Sequence, residues 1–364
     1  MFIKKIYIDR TVQHMPQVEN ICDRIRCPVT IIDDIKALYE DVSAADDPVK
    51  TGKELLYLTR NRGAFLKNCP GTQNYICCGY QILHIGTFCT MDCSYCILQS
   101  YFHPPLLQFF VNHEDMLEEL RSALSQKSIL RIGTGEFTDS MIWEFWTDLS
   151  QKLIPVFSEQ NHSVLELKTK TTAIDNIRDI KHNRKTIMAW SLNTEKVIRQ
   201  QERGTASLNS RLLAAKNCQQ WGYPLAFHFD PMVIYPGCEA DYKNVIDRLF
   251  LHIIPENIVW ISLGTFRFMP PLKAIIQERF PESKIVYGEF IRGLDGKMRY
   301  FKPLRIQLYK AIIRHIRKIA PEVLLYFCME DEHVWKNSFG FVPADQGGLP
   351  AMLDRSAAKV CNLG

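Results

Sequence analysis

From Gln81 onward the chain repeats one pattern: a short apolar run, a polar or glycine-containing break, and in most cases a longer amphipathic stretch. The runs are QILHIGTF, SILRIGTG, VLELKTK, TIMAWSLN, PLAFHFDPMVIY and NIVWISLGTF. Between them lie HEDMLEELRSAL, MIWEFWTDLSQKL, SRLLAAKNCQQWG and YKNVIDRLFLHII. Short apolar runs bounded by breaks suit buried strands, and the intervening stretches have helical spacing. Strands that alternate with helices pair in parallel, because each crossover returns the chain to the same end of the sheet. Six such units predict an α/β fold, a partial (β/α)6 TIM-type barrel, with an open doubly wound sheet as the alternative. In a barrel of this kind the active site gathers at the carboxyl ends of the strands.

The flanks read differently. IKKIYID, VENICDRI, PVTIID and ELLYLTR predict a small N-terminal α/β extension over residues 1–80, with a polar, acidic linker from Asp41 to Glu54. The barrel core is expected over 81–270. In 271–364, KIVYGEFIRGLDGKMRYFKP suggests a hairpin turning at LDGK, and LRIQLYKAIIRHIRKIA a basic amphipathic helix. No run approaches the roughly 18 apolar residues that a membrane span needs, and MFIKKIYIDRTVQHM has no signal-peptide core. A cytoplasmic protein without a membrane partner is expected.

Chemistry concentrates in the cysteines. Of 12, six fall between residues 69 and 96, and in a reducing compartment close spacing points to metal or redox chemistry before disulfides. Cys22, Cys27, Cys218, Cys238, Cys328 and Cys361 stand singly and read as small buried hydrophobes. Cys89-Thr-Met-Asp-Cys93-Ser-Tyr-Cys96 follows the first strand of the repeat directly. Three thiolates on one tight loop can each hold one iron of a cubane, leaving the fourth iron open to a substrate or cofactor. Zinc would want a fourth ligand, and none follows at zinc-finger spacing. Cys69, Cys77 and Cys78 just upstream leave three readings open: inert structural thiols, a hydrogen donor reaching the site (Cys77 or Cys78), or a second cluster lacking an obvious fourth ligand.

The spacing CxxxCxxC resembles the hallmark of the radical S-adenosylmethionine superfamily. That resemblance implies a 4Fe–4S cluster on Cys89, Cys93 and Cys96, with the amine and carboxylate of S-adenosylmethionine on the open iron. One-electron reduction, by a donor such as flavodoxin or ferredoxin, would then release a 5′-deoxyadenosyl radical that abstracts hydrogen from a substrate. Gly133-Thr134-Gly135-Glu136 after the second strand resembles the motif that holds the methionine amine: glycines admit a close backbone and the carboxylate pairs with the ammonium. Lys170 is expected to pair with the cofactor carboxylate, and Ser191 and Asn193 to bind its ribose; capping of strand ends is the plainer role for these three.

CTMDCSYCILQSYF, TGEFTDS, LELKTK and SLN, with ERGTASLNSRLLAAKNCQQWGYPLAFHFDPM, narrow the resemblance to the spore photoproduct lyase family, from about Tyr7 to Lys318. YICCGY and YFCMEDEHVWKNSFGF look closer to its lyase-like relatives. The family implies repair of a thymine–thymine adduct in DNA, closed by a hydrogen atom from a cysteine with tyrosine support. This chain departs there. Phe137 stands where the family has its donor cysteine, and Ile97 where it has the tyrosine after the third cluster ligand, although Tyr95 matches. A phenyl ring cannot give a weakly bound hydrogen as a thiol can.

Net charge is only +4, but residues 273–318 hold 12 Lys or Arg against 4 acids. With Tyr300 and Phe301 interleaved among Arg292, Lys297, Arg299 and Lys302, this segment suits phosphates and an unstacked base. A solvated basic helix is the plain alternative, and the family resemblance favours DNA or RNA. Two other functions stay open: a radical enzyme on a peptide or small molecule, and a non-catalytic iron–sulfur protein that binds nucleic acid.

Overall fold

The computed structural model describes residues 3–72 and 74–364. The chain opens with three parallel strands, β1 (Lys5–Asp9), β2 (Val29–Ile32) and β3 (Leu55–Thr59), with β1 in the middle. The stretch expected as a linker is helical instead, in Lys36–Ser43 and Pro48–Glu54. Its polar composition hides two local signals. The Asp47 side chain accepts from the Lys50 amide at 2.9 Å, with Pro48 at the first helical position. Leu38, Val42 and Val49 turn inward, and the first two pack with Tyr57 and Leu106.

β4 (Leu66–Asn68) and β5 (Gln81–Leu83) then start a second sheet as an antiparallel pair. The run QILHIGTF, expected as one strand, divides between the sheets. β5 stays in the second, while β6 (Gly86–Thr87) crosses to the first and pairs antiparallel with β8 (Leu107–Phe110), itself parallel to β3. Between them β7 (Asp92–Cys93) lies in the cysteine loop and is held by β12 (Glu202–Arg203).

The main sheet continues through β9 (Arg131–Gly133), β10 (Val164–Thr169), β11 (Thr186–Ser191), β13 (Leu225–Met232) and β14 (Ile258–Thr265). Each pairs in parallel with the next, curling into a half-barrel. Every residue of β11 and β14 is buried, as expected of parallel strands covered on both faces. The stretch MIWEFWTDLSQKL, expected as one helix, is a 3-10 turn (Ile142–Phe145) and a helix (Leu149–Ser158), broken where Thr147 bonds back to the Trp143 carbonyl.

The C-terminal region forms the expected hairpin, β16 (Phe290–Arg292) with β17 (Met298–Tyr300), joined at its edge by β15 (Arg267–Phe268). The basic helix Lys302–Ile319 follows and buries Leu308, Tyr309, Ile312 and Ile316 at helical spacing. The tail then returns as β18 (Leu325–Phe327), a parallel strand beside β14. The first sheet therefore runs across the boundary drawn at 80/81, and the main sheet across both that one and the one at 270/271. Among the described residues no helix is long and apolar enough to cross a membrane.

Candidate active site

The cysteine loop leaves the first sheet through Phe88, a buried residue with φ of 70° whose amide donates to the Phe137 carbonyl at 2.8 Å. From there the loop is braced on all sides. Lys53, buried, holds Asp92 at 2.8 Å and the Met91 carbonyl. Arg279 reaches the same carboxylate at 3.2 Å and Asp47 at 2.9 Å. Gln99 donates to the carbonyls of Cys93, Ser94 and Cys96 at 3.0–3.3 Å. Such saturation leaves the backbone of the loop that carries the three thiols little freedom.

Cys93 is buried, and Cys89 and Cys96 are half-buried. Burial pushes the Cys93 thiol up to about 12 and the Cys89 thiol higher, so a metal has to displace protons here. Among the described residues no three His, Cys, Asp or Glu side chains converge tightly enough for one metal ion. A cubane has a different requirement, since each thiolate meets its own iron. The donor set of three soft thiols on one loop fits that group.

Cys96 opens onto a cavity of about 300 Å³ lined in large part by residues of the main strands. Three charged arrangements line it. Lys168, in β10, donates to Glu136 beyond β9, and Glu136 with Glu166 raises the ammonium pKa against the effect of burial. Glu166, also in β10, accepts from His228 at 2.7 Å and from Trp260 at 3.2 Å, and the other imidazole nitrogen meets Ser262 at 2.7 Å. Burial would raise the Glu166 carboxyl, but His228, Lys168 and Trp260 outweigh it and bring it to about 2. Asp230 takes both arms of Arg267 at 3.0–3.1 Å.

The expected residues divide. Cys78, Tyr95, Cys96, Glu136, Ser191 and Lys297 reach the cavity wall. Tyr95 donates to the buried Glu202, which Arg211 grips at 2.6 Å. Burial would raise Glu202, but Arg211 and Lys170 hold it below the ordinary range. Gly133 and Gly135 act through their missing side chains: a Cβ on Gly133 would strike the Tyr80 hydroxyl at 1.5 Å, and one on Gly135 would crowd Lys168 at 3.1 Å. Thr134 is buried with its hydroxyl free of protein partners among the described residues.

Other expected residues lie off the wall or are engaged within the protein. Lys170 is not among the residues lining the cavity, its ammonium standing 5.9 Å from the centre of the Tyr95 ring, and Lys168 and Lys297 are the lysines at the wall. The Asn193 amide is engaged within the protein, donating to the Pro231 carbonyl and accepting from Tyr242 at 2.7–2.8 Å. Cys77 is exposed and does not line the cavity. Phe137 sits in an aromatic group with His84, Tyr101 and Phe102, also off the wall.

The nucleic-acid segment changes most. Arg299 and Tyr300 are buried: Arg299 pairs with Asp295 at 2.7 Å, and the Tyr300 hydroxyl accepts from the Ile234 amide at 3.3 Å. Lys302 pairs with Asp331 at 2.7 Å, and Arg305 is buried against Glu330. Lys284, Arg292, Arg314 and Lys318 stay exposed.

Sequence reasoning missed Glu166, Lys168, His228, Asp230 and Arg267 at the wall, along with Cys328. One signal was available: Glu-x-Lys within VLELKT and His-x-Asp within AFHFDP are charges inside runs that a doubly covered sheet should keep apolar.

The profile of the family described as spore photoproduct lyase matches residues 76–321. Spore photoproduct lyase of Bacillus subtilis (strain 168) is 28% identical over 254 residues, covering 66% of this chain and 74% of the relative. That of Clostridium acetobutylicum is 24% identical over 286 residues, covering 73% and 83%. A double mutant of spore photoproduct lyase with bound AdoMet and dinucleoside spore photoproduct superposes with a TM-score of 0.78 at 21% identity, covering 90% of this chain and 99% of its own. A further complex with dinucleoside spore photoproduct gives 0.77 at 20%, covering 89% and 98%. At that identity the structural likeness establishes the fold.

Proposed function

The chain belongs to the spore photoproduct lyase family of radical S-adenosylmethionine enzymes, and from that premise we propose that it acts on DNA by a reaction other than standard photoproduct reversal. The observation that carries this reading is the cysteine loop opening through Cys96 onto a charged cavity, while Phe137 packs with His84, Tyr101 and Phe102 off its wall. Bound there, a 4Fe–4S cluster with S-adenosylmethionine would supply a 5′-deoxyadenosyl radical after one-electron reduction.

The chain's own residues bind and orient. Cys89, Cys93 and Cys96 would hold three irons. Glu136 is placed to receive an ammonium group, with Lys168 beside it to balance the carboxylate until the cofactor arrives. Ser191 offers a hydroxyl at the same wall. The Glu166–His228–Ser262 chain fixes the imidazole, and Trp260 and Phe266 supply apolar surface at the same wall. Exposed Lys284 and Arg292, with Tyr287 and Phe301 nearby in sequence, support a DNA-facing surface. The relatives named spore photoproduct lyase support DNA over RNA as the substrate.

Anaerobically reconstituted protein given a one-electron reductant and DNA deuterated at its base and sugar carbons tests the reading. Deuterium should appear in 5′-deoxyadenosine, and the product should not be the two repaired thymines. Clean conversion of a thymine photoproduct to thymines would refute the altered reaction. Cofactor cleavage that never takes deuterium from DNA would move the substrate to another class.

A further inference from the structure

A second group of thiols lies beside the cavity. Cys69, Cys77, Cys78 and Cys328 line one small pocket, and three of them (Cys69, Cys78 and Cys328) also face the main cavity. They come from distant parts of the chain. Cys69 follows β4, Cys77 and Cys78 precede β5, and Cys328 follows β18 at the other end of the main sheet. Only the curl of the sheet brings that edge round to meet them. We propose that Cys69, Cys77, Cys78 and Cys328 ligate a second iron–sulfur cluster.

Four observations carry the assignment. The donor set is four thiols without an imidazole or carboxylate among the pocket's lining, which selects soft metals and iron–sulfur clusters. The chain turns directly after the Cys77–Cys78 pair, at Gly79 with φ of 69°, a conformation that favours glycine. Gly71 leaves room for the Cys77 sulfur, which would lie 3.0 Å from a Cβ there. Cations also surround the pocket. Arg131 donates to the Cys78 carbonyl at 2.6 Å while pairing with Asp354, and Lys297 reaches Thr72 and the Met329 sulfur at 3.4 Å. A cubane on four thiolates is anionic, and these charges offset it.

The four sulfurs do not converge on a single point, which disfavours one zinc ion and is the condition already met by the Cys89–Cys96 loop. The pocket holds only about 20 Å³, so ligation must spread its walls. The segment from Cys69 to Tyr80 has no helix or strand among its described residues. As ligands these thiols would not serve as hydrogen donors, and the site lies at the wall of the reaction cavity.

Iron and sulfide counts on the full chain, reconstituted anaerobically, decide the matter without reference to the reaction. Wild-type protein should carry about eight irons and eight sulfides, and Cys69→Ser with Cys328→Ser about four of each. Cys89→Ala, Cys93→Ala and Cys96→Ala together should also leave about four, with the electron paramagnetic resonance of a reduced cubane. Wild-type protein saturating at four irons would overturn the proposal even if a variant failed to fold. So would zinc bound without sulfide.

Discussion

The guanidinium carbon of Arg299 lies 4.2 Å from the centre of the Tyr75 ring, tying the C-terminal hairpin to the segment that carries Cys77 and Cys78. An arginine that by sequence suits a phosphate is thus a brace, neutralised by Asp295. Arg299→Ala should lower stability by on the order of 1–3 kcal/mol, because Asp295 loses its partner in a buried setting. The melting temperature should fall while DNA affinity of the folded protein holds. A normal melting temperature with lost DNA binding would return Arg299 to the surface role.

DNA affinity should instead follow the exposed cations. Log affinity should fall linearly with log salt, and Lys284→Glu with Arg292→Glu should reduce the slope by about two, as neutralised phosphates release fewer counterions. A salt titration by fluorescence anisotropy measures this. An unchanged slope would place the DNA elsewhere.

Cys93→Ala should remove about four irons and all 5′-deoxyadenosine formation, since the buried loop offers no substitute thiolate at that position. Iron analysis and product chromatography read both. A normal iron content with normal cleavage would mean that the cluster lies elsewhere.

Glu136→Ala and Lys168→Ala should each weaken S-adenosylmethionine binding by on the order of 1.5–3 kcal/mol while leaving the first cluster assembled. Lys170→Ala should have less effect, because its ammonium faces Tyr95 and lies off the wall. Equilibrium dialysis distinguishes the three. Equal losses at 168 and 170 would show that the cofactor reaches beyond the wall.

Glu144 gives a pH signature unrelated to the chemistry. It is buried, with one carboxylate oxygen bonded to Ser150 and the other without a partner among the described residues. Burial, only partly offset by Ser150 and Asn176, raises its pKa from 4.5 to about 7. The folded state therefore binds the proton more tightly than the unfolded chain. This group costs nothing below about pH 4.5, and its ionisation destabilises the fold increasingly as pH rises to about 7. Glu144→Gln should remove that slope, on the order of 1–3 kcal/mol at pH 8 relative to pH 4.5. Denaturant melts at several pH values test it, and a slope surviving in the variant would assign it to other groups.

Much of the fold is legible because its determinants are local. Buried parallel strands must be nearly continuous apolar runs, so TIMAWS and IVWISLGT announce themselves. The thiols of Cys89, Cys93 and Cys96 are close because one stretch of eight residues carries all three, and no tertiary contact is needed to see it. Where the local signal was ambiguous the reading failed: Asp41–Glu54 looked like a linker because its few apolar residues face a sheet that composition does not reveal.

The rest is a matter of register and long-range pairing. Lys168 meets Glu136, and His228 meets Glu166, because parallel strands align their ends, and which ends align depends on sheet order. Asp47, Glu330 and Asp331 neutralise three cations of the basic segment, Arg279, Arg305 and Lys302, and charge counted along the chain is blind to partners that arrive from elsewhere. Cys328 read as an isolated buried thiol because about 250 residues separate it from Cys78. The sequence by itself determined the alternating α/β architecture and the cluster loop, both set by interactions between near neighbours. Tertiary structure alone decided which charges stay free and which thiols share a pocket, because contact there depends on closure of the curled sheet and not on distance along the chain.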